Sequence, residues 1–131
     1  MSKSVIYSAL TTPTAVAVGE VIPLGPIVRR YGCINQSGNV INIAERGYYS
    51  VDVSVTAEAT AAGDITITLI DDGVPVTGAT ASVTAAAVGD LVNLDIAAVV
   101  RVFCEGSQRL AVVLGGTAAT INNMAVVVEK L

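Results

Sequence analysis

Between residues 49 and 58 apolar and polar side chains alternate one for one, with Tyr49, Val51, Val53, Val55 and Ala57 set against Ser50, Asp52, Ser54, Thr56 and Glu58. Successive side chains of a strand point to opposite faces, so this period predicts a strand with one buried and one wet face. Ala61-Ala62-Gly63-Asp64 reads as a turn, and Ile65, Ile67 and Leu69 alternating with Thr66 and Thr68 predict the second strand of a hairpin. Asp71-Asp72-Gly73 interrupts the pattern. Val74-Pro75-Val76 is then a short piece that its proline confines to an edge or a bulge, ended by Gly78. Leu91 to Phe103 and Gln108 to Leu114 predict two more strands around Glu105-Gly106-Ser107, with Gly115-Gly116 closing that hairpin. The alternation through Met124, Val126 and Val128 predicts a central C-terminal strand.

Shorter strand candidates precede residue 47. They are Val5 to Leu10, Ala15 to Ile22, Ile27 to Ile34 and Val40 to Ile43, separated by Pro13, Pro23, Gly25-Pro26 and Gln36-Ser37-Gly38-Asn39. The stretch Thr80 to Val88 has helix-forming alanines, but its Thr, Ser and Val, with Gly78 before and Gly89 after, favour strand or loop. Short strands at regular spacing without intervening helices exclude a parallel strand–helix–strand plan and leave an antiparallel sandwich, jelly roll or barrel. The 131 residues suffice for one core and one domain, with residues 1–13 an N-terminal arm or first strand and 14–131 a single β domain.

Composition adds a need for partners. Hydrophobic residues make up 53% of the sequence and charged ones 14%, about half the usual charged share, which is too little polar material to cover a lone monomer. No apolar run approaches the roughly 18–20 residues of a spanning helix, so no membrane is expected and burial between copies of the chain is the economical reading. A net charge of −4 argues against nucleic acid, because neutralising phosphates requires a positive surface. Arg29-Arg30, the one adjacent basic pair, lies in a strand pattern between Val28 and Tyr31 and reads as a strand-end or interface ion pair. The start Met1-Ser2-Lys3-Ser4 lacks the pattern of a secretory signal.

Candidate chemistry is sparse. The sequence contains no histidine, the usual acid–base group near neutrality, and so no catalytic triad; the protein is expected not to be an enzyme. Asp71-Asp72 is the one adjacent carboxylate pair, and in a Gly-containing turn such groups bond local amides. No calcium-loop spacing, no metal-ligand spacing and no phosphate-cradling loop is present, and no cofactor or metal is expected. Cys33 and Cys104 read as two buried free thiols, with a disulfide between them as the alternative. Tyr7, Tyr31, Tyr48 and Tyr49 all fall in strand patterns, where core or interface packing is the expectation; with no tryptophan, stacking on sugar rings is less well provided for.

Four segments carry a family resemblance. Gly47-Tyr48-Tyr49-Ser50-Val51-Asp52-Val53 is similar to the Gly-x-Tyr strand start of the tumour necrosis factor-like jelly roll. That family includes the complement globular heads and the C-terminal domains of collagen-like spore-surface glycoproteins. Leu69-Ile70-Asp71-Asp72-Gly73-Val74-Pro75-Val76-Thr77-Gly78-Ala79 resembles the strand, tight turn and Val-Pro-Val edge of its bacterial and phage branch. Phe103-Cys104 after a long apolar strand, and the terminal Val126-Val127-Val128-Glu129-Lys130-Leu131, complete the pattern.

The resemblance implies a two-sheet antiparallel jelly roll that forms a homotrimer with an apolar, aromatic-lined threefold axis. The residues it implies for the core or trimer interface are Tyr48, Tyr49, Val51, Val53, Phe103, Val126 and Val128. The collagen-like stalk common in such proteins is not present in the sequence. Small Ala/Val/Thr-rich domains of this kind look like phage structural modules. The implied function is a virion component, either capsid decoration bound to a major capsid protein or the head of a fibre or spike, with the Ser2 to Pro13 arm for attachment. The alternative is a receptor- or carbohydrate-binding adhesin on a virion or bacterial surface, with a cell-surface glycan met by inter-subunit grooves or by loops around Asp71, Asp72, Asn122 and Asn123.

Overall fold

A computed structural model describes residues 4–103 and 108–131. The described residues form eleven strands: β1 (Val5–Leu10), β2 (Thr14–Val16), β3 (Ile27–Tyr31), β4 (Ile34–Ser37), β5 (Val40–Ile43), β6 (Gly47–Ala59), β7 (Gly63–Asp71), β8 (Val74–Ala85), β9 (Leu91–Val102), β10 (Gln108–Gly116) and β11 (Ala119–Lys130). They form two antiparallel sheets. One runs β3-β1-β11-β6-β9, with β2 also pairing β11, and the other runs β4-β5-β10-β7-β8. The chain is an antiparallel jelly-roll sandwich.

The alternation seen in the sequence builds the core. Tyr49, Val51, Val53, Val55 and Ala57 turn inward from β6, and Val128, Val126, Met124 and Ile121 join them from β11. Ile65, Ile67 and Leu69 of β7 with Leu110, Val112 and Leu114 of β10 face them from the other sheet. Burying such side chains contributes roughly 1.5–3 kcal/mol each, which is why the pattern dictates the fold.

Two predicted hairpins are not hairpins. β6 and β7 lie in different sheets, so Ala61-Ala62-Gly63-Asp64 carries the chain across the sandwich, and β9 and β10 are likewise split between the sheets. A tight hairpin does join β7 to β8, where Asp72 (φ 50°) and Gly73 (φ 83°) both take left-handed conformations, the geometry of a type I′ turn. Beyond it, Val74-Pro75-Val76 does not stop at Gly78. β8 continues through an irregularity of register to Ala85 and absorbs most of the Thr80 to Val88 stretch. Pro75 fits because β8 is the outermost strand of its sheet. The predicted strands Ala15 to Ile22 and Ile27 to Ile34 each shorten, the second into β3 and β4 around Gly32-Cys33. Residues 19–22 instead bond β10, with the Gly19 and Ile22 amides donating to the Leu114 and Val112 carbonyls at 2.7 and 2.8 Å.

Of the two expectations for the N-terminal segment, arm or first strand, the described residues from Ser4 onward form the first strand. β1 pairs β11 on one side and β3 on the other, with Ile6 fully buried, so attachment through Val5 to Leu10 would require pulling a strand from the sheet's interior. Its buried serines tie the sheets together. Ser8 Oγ donates to Gln36 Oε1 of β4, Gln36 Nε2 donates to the Gly25 carbonyl at 2.7 Å, and Ser4 Oγ accepts the Cys33 amide at 2.9 Å. Gly25 (φ 73°) passes so close to β1 that a Cβ there would overlap the Ala9 carbonyl and lie 2.7 Å from Leu10 Cα.

Candidate functional site

Register places the outward side chains of the β3-β1-β11-β6-β9 sheet in rows. One row is Tyr31, Val5, Glu129, Ser50 and Val99; the next is Arg29, Tyr7, Val127, Asp52 and Ala97; a third is Ala9, Ala125, Ser54 and Asp95. The centre of this face is therefore small and weakly polar, with a shallow trough of about 380 Å³ along Asp52, Ser54, Asp95, Ala97, Ala125 and Val127. Its charges are of both signs: Arg29 stands at the β3 edge, Glu129 on the central β11, Asp52 on β6, and Asp95 and Arg101 on β9.

At the end of the same sheet, where β6 begins and β9 and β11 finish, lies a cleft of about 520 Å³ lined by Arg46, Gly47, Tyr48, Arg101, Val102, Phe103 and Lys130. Tyr48 pairs with Arg101 across β6 and β9, and the Arg101 guanidinium carbon sits 5.8 Å from the Tyr48 ring centroid and 4.6 Å from that of Phe103. Both contacts fall within cation–π range. Lys130 Nζ is held by the Glu45 carboxylate, and this bond, followed by one from Cys33, holds the Glu45 carboxyl below its ordinary value. Among the described residues neither Arg46 nor Arg101 has an ion-pair partner.

The seven residues expected in the core or interface divide sharply. Tyr49, Val51, Val53, Val126 and Val128 are buried inside the protomer, while Tyr48 is 54% and Phe103 60% exposed. Tyr31 likewise lies outside the protomer core, 65% exposed on the β3 edge. Tyr49 and Tyr48 are consecutive in a strand and must face opposite ways, so the sequence held the signal for one exposed ring. Burial, and then the Glu45 charge, raises the Tyr49 phenol, whose hydroxyl donates to the Glu45 carbonyl at 2.7 Å. Sequence reasoning passed over Arg46 and Arg101, although Arg101 shares its strand face with Val99 and Phe103.

The predicted loop contacts are not brought together. Asn122 and Asn123 are not in a loop; they lie within β11, at the point where its register with β6 shifts. Asp71 ends β7, accepting from Gln108 Nε2 at 3.0 Å, and burial followed by the neighbouring Asp72 charge raises its carboxyl above the ordinary value. Asp72 closes the turn, its Oδ1 accepting the Arg109 amide at 3.0 Å. Cys33 is exposed rather than buried, because it sits in the β3–β4 connection at the sandwich rim; Cys104 and the predicted turn at Glu105 to Ser107 lie outside the described residues.

No model of a known protein family matches the sequence, and no curated protein matches it. Solved structures do match. The chain superposes on the Eiger TNF of S. frugiperda with a TM-score of 0.72 at 12% identity, over 98% of this chain and 91% of that one. Murine APRIL matches with a TM-score of 0.71 at 14% identity over 99% of this chain and 100% of its own. The globular domain of zebrafish complement 1qA matches with a TM-score of 0.72 at 8% identity over 98% of this chain and 96% of its own. With two antiparallel sheets in this order and neighbours spanning nearly the whole chain, the protein has the jelly-roll fold shared by tumour necrosis factor-like proteins and complement globular heads.

Proposed function

We propose that this protein is a non-enzymatic structural module that assembles as a homotrimer through the outer face of the β3-β1-β11-β6-β9 sheet. The carrying observation is the centre of that face, where Ala9, Ala97, Ala125, Val127 and Tyr7 offer a surface that a second copy can approach closely. Arg29 at the β3 edge can pair with Asp52 or Asp95 of a neighbouring copy, a head-to-tail contact of the kind that closes into a ring. Tyr48 and Phe103 border this surface at its end. The neighbours' fold and the shortage of charged residues support the same reading. Following the sequence resemblance, the trimer serves as a virion component, bound to a major capsid protein as decoration or forming the head of a fibre.

Size-exclusion chromatography with light scattering tests the assembly. The expected mass is three times the 13.3 kDa of the chain, and Val127→Arg should yield folded monomer with unchanged far-UV circular dichroism. A monodisperse wild-type monomer at micromolar concentration overturns the proposal. Co-sedimentation with capsids lacking the protein tests the virion role. The exposed Tyr31, Tyr48 and Phe103 rings favour a second reading, a receptor- or glycan-binding adhesin on a virion or bacterial surface, which predicts binding to host cells rather than capsids.

A further inference from the structure

We propose that the cleft at the end of β6, β9 and β11 binds a carboxylate-bearing sugar of the uronic- or sialic-acid type. Three cations line it, and among the described residues the one ion pair is Glu45 with Lys130, so Arg46 and Arg101 concentrate positive charge on a chain whose net charge is −4. Arg101 is already positioned. Its guanidinium carbon lies within cation–π range of both Phe103 and Tyr48 while the residue remains exposed, so its N–H groups are open to a planar carboxylate, which a guanidinium grips through two parallel hydrogen bonds. Less side-chain freedom is then lost when a ligand arrives.

The rings point to the rest of the ligand. Tyr48 and Phe103 present more than half of their surface beside the two guanidinium groups, an apolar platform for the C–H face of a sugar ring. A small inorganic anion would leave them unused. The cleft's roughly 520 Å³ lies within the range of about 300–1,000 Å³ typical of compact-ligand pockets. A peptide would instead need an extended groove or a strand edge to pair with. Nucleic acid would need far more positive surface than two guanidinium groups supply. The cleft lies at the end of the outer face, bordering the proposed assembly surface, and light scattering on its variants separates the two roles.

Calorimetric titration of the full chain with sialyllactose and with oligogalacturonate, using neutral lactose as control, tests the site. At least one acidic sugar is expected to bind, lactose is not, and added salt should weaken the complex. Arg101→Ala should reduce affinity by about 10- to 100-fold, the size of a lost charge-assisted bond pair. Arg101→Lys should fail to restore it, because an ammonium cannot reproduce the planar fork. Binding of neither acidic sugar overturns the proposal. So does equal competition by inorganic sulfate, which would mark a generic anion site, or tighter binding of an oligoglutamate peptide, which would mark a protein partner. Light scattering on Arg101→Ala should give the wild-type mass; dissociation would place the cleft inside the subunit interface and refute the sugar site. A wild-type monomer that still binds acidic sugar would sink the trimer and leave this site standing.

Discussion

Asp71→Asn is expected to stabilise the protein near neutral pH, and the reason lies in two buried oxygens. Gln108 Nε2 donates to Asp71 Oδ2, yet Asp71 Oδ1 and Gln108 Oε1 are buried with no hydrogen-bond partner among the described residues. An ionised carboxylate has no proton to give, so both acceptors are left unanswered. Asparagine keeps the shape, can accept from Gln108 Nε2 through its oxygen and can donate through its amide to Gln108 Oε1. An unsatisfied buried group costs about 1–3 kcal/mol, so the variant should gain about that much, or several degrees in Tm for a domain of this size. Urea denaturation at fixed protein concentration measures it.

The pH dependence sharpens the test. Burial raises the folded Asp71 carboxyl above its ordinary value of 3.8, so the native state holds a proton that the unfolded chain has already released. Asp71's contribution is therefore fully present below that ordinary value and is lost as pH rises through the raised folded value. When protonated, Asp71 can donate to Gln108 Oε1 as asparagine does, so wild type and variant should be nearly equal in acid. Their difference should open as pH climbs and level off above the folded value. A variant no more stable than wild type near neutrality, or a difference independent of pH, refutes the reasoning.

Three further outcomes are expected. Tyr49→Phe removes the hydroxyl that donates to the half-buried Glu45 carbonyl and should cost about 0.5–1.5 kcal/mol in urea denaturation. It should also abolish a loss of stability that wild type shows as pH rises past the ordinary phenol value of 10.0, since the folded phenol is raised. Gly73→Ala meets no atom within 4 Å and carries only the cost of its left-handed backbone, about 1–2 kcal/mol. Gly25→Ala adds overlap with the β1 backbone to the same backbone cost, so it should destabilise by clearly more than Gly73→Ala; equal melting temperatures would show that β1 yields freely.

Much of the architecture was legible because burial imposes a period of two. The alternation at Tyr49 to Glu58 and at Ile65 to Leu69 marked β6 and β7 from side-chain order alone, and Met124, Val126 and Val128 marked the central β11. That same period is silent about which sheet receives the next strand. A strand that pairs with its predecessor and one that crosses the sandwich to face it both turn their apolar side chains to one core. This is why Ala61 to Asp64 and the β9–β10 connection read as hairpins. At Asp72-Gly73 the ambiguity vanishes, because two successive left-handed residues reverse the chain tightly enough to pair neighbours.

The exposed cleft was hidden for a related reason. An aromatic residue in an apolar strand pattern counts toward the core, and Tyr48 and Phe103 were weighed by type rather than by parity. Parity settles them: Tyr49 faces the core, so Tyr48 cannot, and Tyr48 pairs with Arg101, which shares its outward face with Phe103. Tyr48 thus joins Arg101 and Phe103, more than fifty residues away in sequence, in one surface through register, and register is set by the turns and cross-strand pairing of the whole sheet, not by any segment alone. The strand pattern can be read locally, but the combination of aromatic rings and guanidinium groups exists only once β6, β9 and β11 are placed side by side.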